Sequence, residues 1–405
     1  MKLLILTQYF PPETGAPQNR LYELAKRLKE NGVEVEILTA LPSYPKNEIY
    51  EGYRNCTEMT EILDSILVHR TSIYVTTSKG IVERLKNYFS FVRSSRKYGK
   101  KLHSFDFLLC ESPPLFLGYT AMYLSKRLKA KLIFNVSDLW PESAEKMGVV
   151  NNKFLLKLAY GLEAKCYKKS YLVTGQTQGI VANINKRFPS VKTHWLPNGA
   201  KMDNFDEAKI STIDFRNKNG IEKSDLVFFY GGIIGHAQGL KIILEAAANF
   251  LDKKLKFVIM GSGPEKEELI RYKNEHQLHN VIFPEPVGRT EMQSVLYEID
   301  IALIPLRKLD LFTGAIPSKI FEALAMKKPL LLGVDGEARE LFINQAKAGW
   351  HFEPENLNDL CDKISQICAD TSKIVDYGIN GRNFVSRHFD RNKIADEFLK
   401  LLSAS

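Results

Sequence analysis

Short apolar runs alternate with amphipathic stretches along the whole chain. Lys2–Leu6 is an apolar run behind a single lysine, and in residues 19–32 the positions Leu21, Leu24, Ala25 and Leu28 recur at helical spacing before Gly32 closes the stretch. Further strands are expected near 33–39, 66–70, 107–110, 132–136 and 172–174, with helical patterns between them. Strand, helix, strand in that order predicts a parallel sheet with right-handed crossovers. The pattern restarts after "LPNGAKMDNFD", with strands expected near 226–230, 257–260, 281–283, 301–304 and 330–333. The prediction is therefore α/β with two doubly wound domains, residues 1–200 and 201–383, joined near 198–211. The terminal segment, about 384–405, is a candidate to pack back on the first. Ligands of such sheets bind outside the carboxyl ends of the strands, so two facing sheets are expected to form an interdomain cleft.

Composition narrows this picture. A chain of 405 residues is long for one core, and 44% hydrophobic with 25% charged residues is an ordinary globular balance. Five cysteines, at 56, 110, 166, 361 and 368, show no CxxC spacing, which fits a reduced, cytoplasmic setting without a zinc site. The start "MKLLILTQYFPPETG" has an apolar run too short for a signal peptide and reads as a buried strand, and no stretch reaches the ~20 apolar residues a bilayer span needs. The net charge of +9 points to anionic partners: lipid, nucleic acid or phosphorylated ligands. No helix-turn-helix, zinc finger or RNP-type aromatic motif supports nucleic acid.

Candidate chemistry concentrates in "TGAIPSKIFEALAMKKP", residues 313–329. Pro317 suits a first helical turn, which places Glu322 in the second, and Ser318, Lys319 and Glu322 then share one face. An ordinary Lys–Glu helix pair fits the same spacing. Glycine-rich turns are expected after two strands, in "FFYGGIIGHAQGL" and "FVIMGSGPEKEEL", where Gly232, Gly235, Gly261 and Gly263 would let backbone approach a ligand. Neither matches GxGxxG with its partner acid, and no GxxxxGK[ST] is present. In "SGPE", Ser262 and Glu265 also have capping-box spacing. The eight histidines are scattered, and no Asp-x-Asp is present to hold a divalent ion against a diphosphate, so no metal and no cofactor are expected. Phosphate charge would be met by Lys, Arg and helix termini.

Six motifs, in order, carry a resemblance that covers nearly the whole chain: "YFPPETGAPQNRLYELAKRL", "NVSDLWPES", "LPNG", "GGIIGHAQGL", "GSGP" and "PSKIFEALAMKKP". The chain resembles the retaining glycosyltransferases of family 4, which have the GT-B fold of two facing Rossmann-like domains. Its wording is most similar to bacterial surface-polysaccharide enzymes of the N-acetyl-L-fucosaminyl transferase type. The resemblance implies that Glu322 accepts hydrogen bonds from the ribose hydroxyls of a nucleotide, with Ser318 and Lys319 beside the diphosphate. It also implies a retaining outcome with no assigned protein nucleophile. Three departures stand out. Gly314 occupies the place of a second Glu that contacts the donor sugar, and Gly232 and Gln238 occupy those of an Arg and a Lys that hold the diphosphate. Lys319 and the backbone amides of Gly235 and His236 are the expected replacements, with main chain at Gly314, Ala315 and Ile316 meeting the sugar; a solvated Lys319 is the alternative. On the acceptor side, Gly15, Asp138 and Glu142 are expected at the cleft edge. Asp138 is a candidate to orient or deprotonate the acceptor hydroxyl, or else to cap the helix expected near Trp140.

The stretch 79–101 holds eight Lys or Arg against one Glu. Ile81, Leu85, Tyr88, Phe89 and Val92 follow helical spacing, with Arg84, Lys86, Arg93, Arg96 and Lys97 flanking them. This is an interfacial basic helix, or a core-facing helix with a solvated side; residues 151–169 are a candidate addition. The expectation is a metal-independent hexosyltransferase, peripheral to the inner face of the plasma membrane, moving a sugar from a UDP-sugar to a polyprenyl-diphosphate-linked acceptor in O-antigen or capsule synthesis. A UDP-sugar 2-epimerase of the same fold and a non-catalytic membrane-associated scaffold are the rivals.

Overall fold

The computed structural model describes residues 1–404 apart from 46, 79 and 252, so the first residue of the 79–101 stretch lies outside the described residues, as do the side chains of Ala16, Arg289 and Thr290. The chain divides into two compact units, 1–198 with 391–405, and 199–390.

The first unit is built on eight strands: β1 (Lys2–Leu6), β2 (Glu34–Ala40), β3 (Glu58–Leu63), β4 (Ile66–Thr71), β5 (Phe107–Ser112), β6 (Lys131–Val136), β7 (Leu172–Gly175) and β8 (Thr193–Trp195). Their order is β3-β4-β2-β1-β5-β6-β7-β8, parallel except for β3. Strand periodicity divides the core in two. Leu4 and Leu6 pack with Leu38, Leu108 and Phe134 on one face, while Leu3 and Ile5 pack with Ile37, Leu109 and Ile133 on the other. β3 was not expected. It is an edge strand with no fully buried position, and its two-residue turn to β4 uses Asp64 and Ser65 at positive φ without an Asn-Gly signal.

The second unit carries β9 (Leu226–Ile233), β10 (Leu255–Ser262), β11 (Val281–Ile282), β12 (Ile301–Pro305), β13 (Leu330–Gly333) and β14 (Gly349–His351), in the order β11-β10-β9-β12-β13-β14, all parallel. The strand order reverses between β9 and β12, the switch point at which doubly wound sheets bind ligands.

The second unit runs to Asp390, beyond the expected 383, and only the last helix, Arg391–Ser403, returns to the first unit. Ile394, Ala395, Phe398 and Leu402 are buried there with Leu21, Leu24 and Leu28, and Arg27 grips Asp396 through two bonds of 2.9 Å. Burying Ile394, Phe398 and Leu402 stabilises the docking by ~1.5–3 kcal/mol each.

Candidate functional site

The carboxyl end of β9 sets the site. Glycine turns were expected here, yet Gly231 and Gly232 remain in the ladder, paired with Met260 and Gly261 of β10. A Cβ on Gly261, at φ +153, would collide with the Gly232 carbonyl, so Gly261 lets β10 run on beside β9 where a side chain would part them. Gly263 does the same against the Ile234 carbonyl.

The loop beyond β9 is tied to β10 by Ile234 N–H donating to the Ser262 carbonyl at 2.9 Å, and closes on itself through Gln238 N–H to the Gly235 carbonyl at 3.0 Å. His236 is exposed and pairs with Glu265, and the two help line an open cavity of about 510 Å³ with Gly239, Lys241, Tyr272 and Arg307. The capping box expected from Ser262 and Glu265 is absent. Ser262 ends β10, while Glu265 precedes the helix Lys266–Glu275 and spends its carboxylate on His236.

Lys319 reaches this strand end from the next layer. Its helix is Lys319–Ala325, two residues later than expected, because Pro317 and Ser318 form a preceding turn whose carbonyls accept from Ile320 and Phe321 at 3.1 and 3.2 Å. Glu322 therefore sits in the first turn. Ile320, Phe321, Ala323, Leu324 and Ala325 are buried, which leaves Lys319 and Glu322 as the half-buried polar side of this short helix. Ser318 caps nothing with its side chain.

The Lys319 ammonium lies 3.7 Å from the centroid of the Tyr230 ring, and a Cβ on Gly232 would approach it to 2.9 Å. Desolvation lowers its pKa to about 7, with Glu322 opposing the shift. The solvated-helix alternative is thus corrected: Lys319 is packed across β9 because Gly232 has no side chain to obstruct it. Tyr230, which nothing in the sequence singled out, donates its hydroxyl to the Ile233 carbonyl at 2.5 Å. Gly314, Ala315 and Ile316 form the half-buried approach to Ser318, with open space beside Gly314.

In the first unit, Gly15 precedes the helix Ala16–Glu30 and accepts from Asn19 N–H at 3.0 Å. Asp138 follows β6. Burial lifts its carboxyl above the ordinary value, against a 2.8 Å hydrogen bond from the Ser143 hydroxyl and one from the Leu139 amide. The short helix beyond it starts at Glu142 and takes no side-chain cap, so the expected cap is replaced by the Ser143 contact. Glu142 pairs with Lys146 at 2.7 Å. The sequence reading also missed a buried polar chain beneath this loop. Arg20 holds both Glu111 oxygens at 2.8 Å and the Ser137 hydroxyl at 2.9 Å, and Asn135 links Glu111 to Thr174 through bonds of 2.5 and 2.6 Å.

The basic stretch forms the helix Ile81–Gly99, whose inner line is Phe91, Ser95 and Gly99, while Leu85, Tyr88 and Val92 are half-buried. Arg84, Lys86, Phe89, Arg93, Arg96 and Lys97 are exposed, although Lys86 pairs with Glu83 and Arg96 lies 3.9 Å from the centre of the Tyr123 ring. More apolar surface is open on the helix Lys153–Lys169, where Phe154 is 68% and Leu158 57% exposed. No helix among the described residues is long and apolar enough to cross a membrane.

Comparison with known proteins agrees with this architecture. Residues 15–199 match the glycosyl transferase 4-like domain and residues 211–384 match glycosyl transferases group 1. A glycosyl transferase of Escherichia coli (strain K12) named for colanic acid biosynthesis is 22% identical over 98% of this chain and 99% of its own. The O-antigen chain mannosyltransferase C of Escherichia coli is 21% identical over 98% of this chain and 97% of its own. The Anabaena protein HepE, solved with UDP and glucose, superposes with a TM-score of 0.72 over the full length of both chains at 16% identity. With both units matched in order and the two-sheet architecture shared from end to end, the chain belongs to the family 4 glycosyltransferases of GT-B fold.

Proposed function

We propose that this glycosyltransferase moves a deoxy or N-acetylated hexosamine, with retention, from a UDP-sugar to a polyprenyl-diphosphate-linked acceptor in bacterial surface-polysaccharide assembly. The observation that carries the reading is the Lys319 ammonium packed at the carboxyl end of β9, with Glu322 on the same side of its helix. Glu322 accepts from the ribose hydroxyls, a task for a carboxylate with two acceptor oxygens. Lys319 takes the place of the missing Arg and Lys at the diphosphate, with the Gly235 and His236 amides. In the free protein its pKa is lowered to about 7, so the ammonium is the main form only below neutrality; a bound diphosphate favours that form and draws in a proton. As the nucleoside diphosphate departs, the ammonium offsets its growing charge. Main chain at Gly314 to Ile316 meets the sugar. In the first unit, the raised carboxyl of Asp138 suits a base that orients the acceptor hydroxyl.

Relatives named for colanic acid and O-antigen synthesis support the pathway class, and HepE with UDP and glucose supports the donor class. The exposed arginines and lysines of Ile81–Gly99, and Phe154, Leu155 and Leu158, support docking on the anionic inner face of the plasma membrane. Native mass spectrometry after incubation with a panel of nucleotide sugars identifies the donor, and product analysis with a short polyprenyl-diphosphate saccharide identifies transfer. Preferential retention of a guanosine or thymidine sugar refutes the UDP assignment, and transfer confined to free sugars refutes the lipid-linked acceptor.

A further inference from the structure

Tyr230 interrupts an apolar strand. It is 1% exposed and packs with Phe228, Phe257 and Ile259, where a phenylalanine would fill the space with no polar atom to satisfy. The hydroxyl is satisfied by the Ile233 carbonyl at 2.5 Å, three residues on in the same strand end. The ring face carries the Lys319 ammonium at 3.7 Å. One buried side chain therefore touches both the end of β9 and the cation, and Gly232 between them leaves the path of the lysine open.

We propose that Tyr230 is a positioning residue for transfer: its ring holds the Lys319 ammonium in place without neutralising it, and its phenol fixes the end of β9 over which that ammonium must act. The proposal rests on the donor-site reading of Lys319. A carboxylate in the same place would hold the lysine more firmly but would neutralise it and occupy its donors. A ring face attracts the cation through its quadrupole and leaves N–H directions open for phosphate oxygens. Other charged groups lie on the elements around the ammonium. Glu322, on the same helix, favours the charged form. The packed strands β12 and β13 carry no ionisable side chain. Arg382, on the packed helix Lys373–His388, holds the Ala325 carbonyl at the far end of the Lys319 helix, and Asp203 lies in the packed turn Met202–Phe205. Tyr230 itself stays a neutral phenol because burial raises its pKa strongly.

The test is kcat/KM for the donor as a function of pH, with wild type, Tyr230→Phe, Tyr230→Leu, Lys319→Arg and Lys319→Ala. In wild type, activity falls as pH rises through about 7, where Lys319 in the free enzyme loses its proton. Tyr230→Leu removes the ring, so the ammonium is less favoured, the falling limb moves about 0.4–1.5 pH units lower, and kcat/KM below the limb drops about 2- to 30-fold. Tyr230→Phe keeps the ring and the position of the limb while loosening the loop, which raises the donor KM. Lys319→Arg loses the limb because a guanidinium stays charged. Where Tyr230→Leu does not fold, Tyr230→Met fills the space with a flexible apolar chain and is read in the same way. A limb unmoved in folded Tyr230→Leu or Tyr230→Met, or moved equally in Tyr230→Phe, overturns the proposal. Wild-type turnover in Lys319→Ala overturns the donor-site reading instead.

Discussion

Replacing Gly232 by alanine adds one methyl group and should disturb stability and turnover together. Gly232 sits in the β9 ladder at φ +142, a backbone conformation that residues with a Cβ rarely adopt, so the strain alone costs about 1–3 kcal/mol. In a unit of this size, roughly 2–4 °C of Tm is lost per kcal/mol, which puts the fall between about 2 and 12 °C. The new Cβ would also stand 2.9 Å from the Lys319 ammonium and 3.3 Å from its Cε. The flexible end of the lysine is what yields, and it leaves the centre of the Tyr230 ring. Loss of a desolvated cation–π contact is worth about 0.5–2 kcal/mol, so kcat should fall about 2- to 30-fold beyond any loss of folded protein. Gly314→Ala is the control. Nothing lies within 4 Å of a Cβ there, so Tm should stay within about 1 °C of wild type, while a raised donor KM would report main chain meeting the sugar. The assays are thermal unfolding and steady-state kinetics, repeated in a Lys319→Ala background, where Gly232→Ala should cost no further turnover because the group it displaces is gone. Wild-type kcat in Gly232→Ala at a temperature where it is folded, or equal losses with and without Lys319, would refute the reasoning.

Glu322→Gln should weaken UDP binding roughly 10- to 150-fold, because a neutral amide loses the charge-assisted acceptance of ribose hydroxyls; an unchanged Kd by calorimetric titration in folded protein rejects that role. Turnover should persist in EDTA, and Lys319→Ala should lower kcat more than it weakens donor binding; magnesium-dependent rescue of an EDTA-inactivated enzyme sinks this expectation. Reversing Arg93, Arg96 and Lys97 to glutamate, or changing Phe154 and Leu158 to serine, should reduce sedimentation with anionic vesicles while leaving transfer to a short water-soluble acceptor nearly intact. The charge reversal should also flatten the salt dependence of the remaining binding. Wild-type sedimentation of both variants makes these faces ordinary solvated surface.

What the sequence made legible was what depends on near neighbours. Apolar runs and helical spacing placed the long strands of both sheets and the point where the pattern restarts, because burial on both sheet faces writes itself into consecutive residues. β3 left no such trace, since an edge strand with no fully buried position has no apolar face to display, and β8 and β14, at three residues each, are too short to show a period. The glycines of "FYGG" and "GSG" are expected as turns because glycine usually punctuates, whereas Gly231, Gly232 and Gly261 stay in the ladder, and it is the missing side chains of Gly261 and Gly263 that let the backbone of β9 and the chain beyond it run close alongside. The buried chain from Arg20 through Glu111 and Asn135 to Thr174 joins one helix to three strands, and no local spacing announces it.

Lys319 shows how the two kinds of information combine. The family resemblance named it as a phosphate-facing candidate, with a solvated helix residue as the alternative; its packing is set by β9, distant in sequence, where Gly232 clears a path and Tyr230 supplies a surface. The bare Gly232 and the packed Lys319 are two sides of one arrangement. A Cβ at Gly232 would stand 2.9 Å from the Lys319 ammonium, so a long side chain at that position would displace the lysine from the Tyr230 ring. Placing an arginine there by Gly232→Arg in the wild-type background should accordingly depress turnover, through both the positive φ and the displaced lysine, and should do so no less than Gly232→Ala.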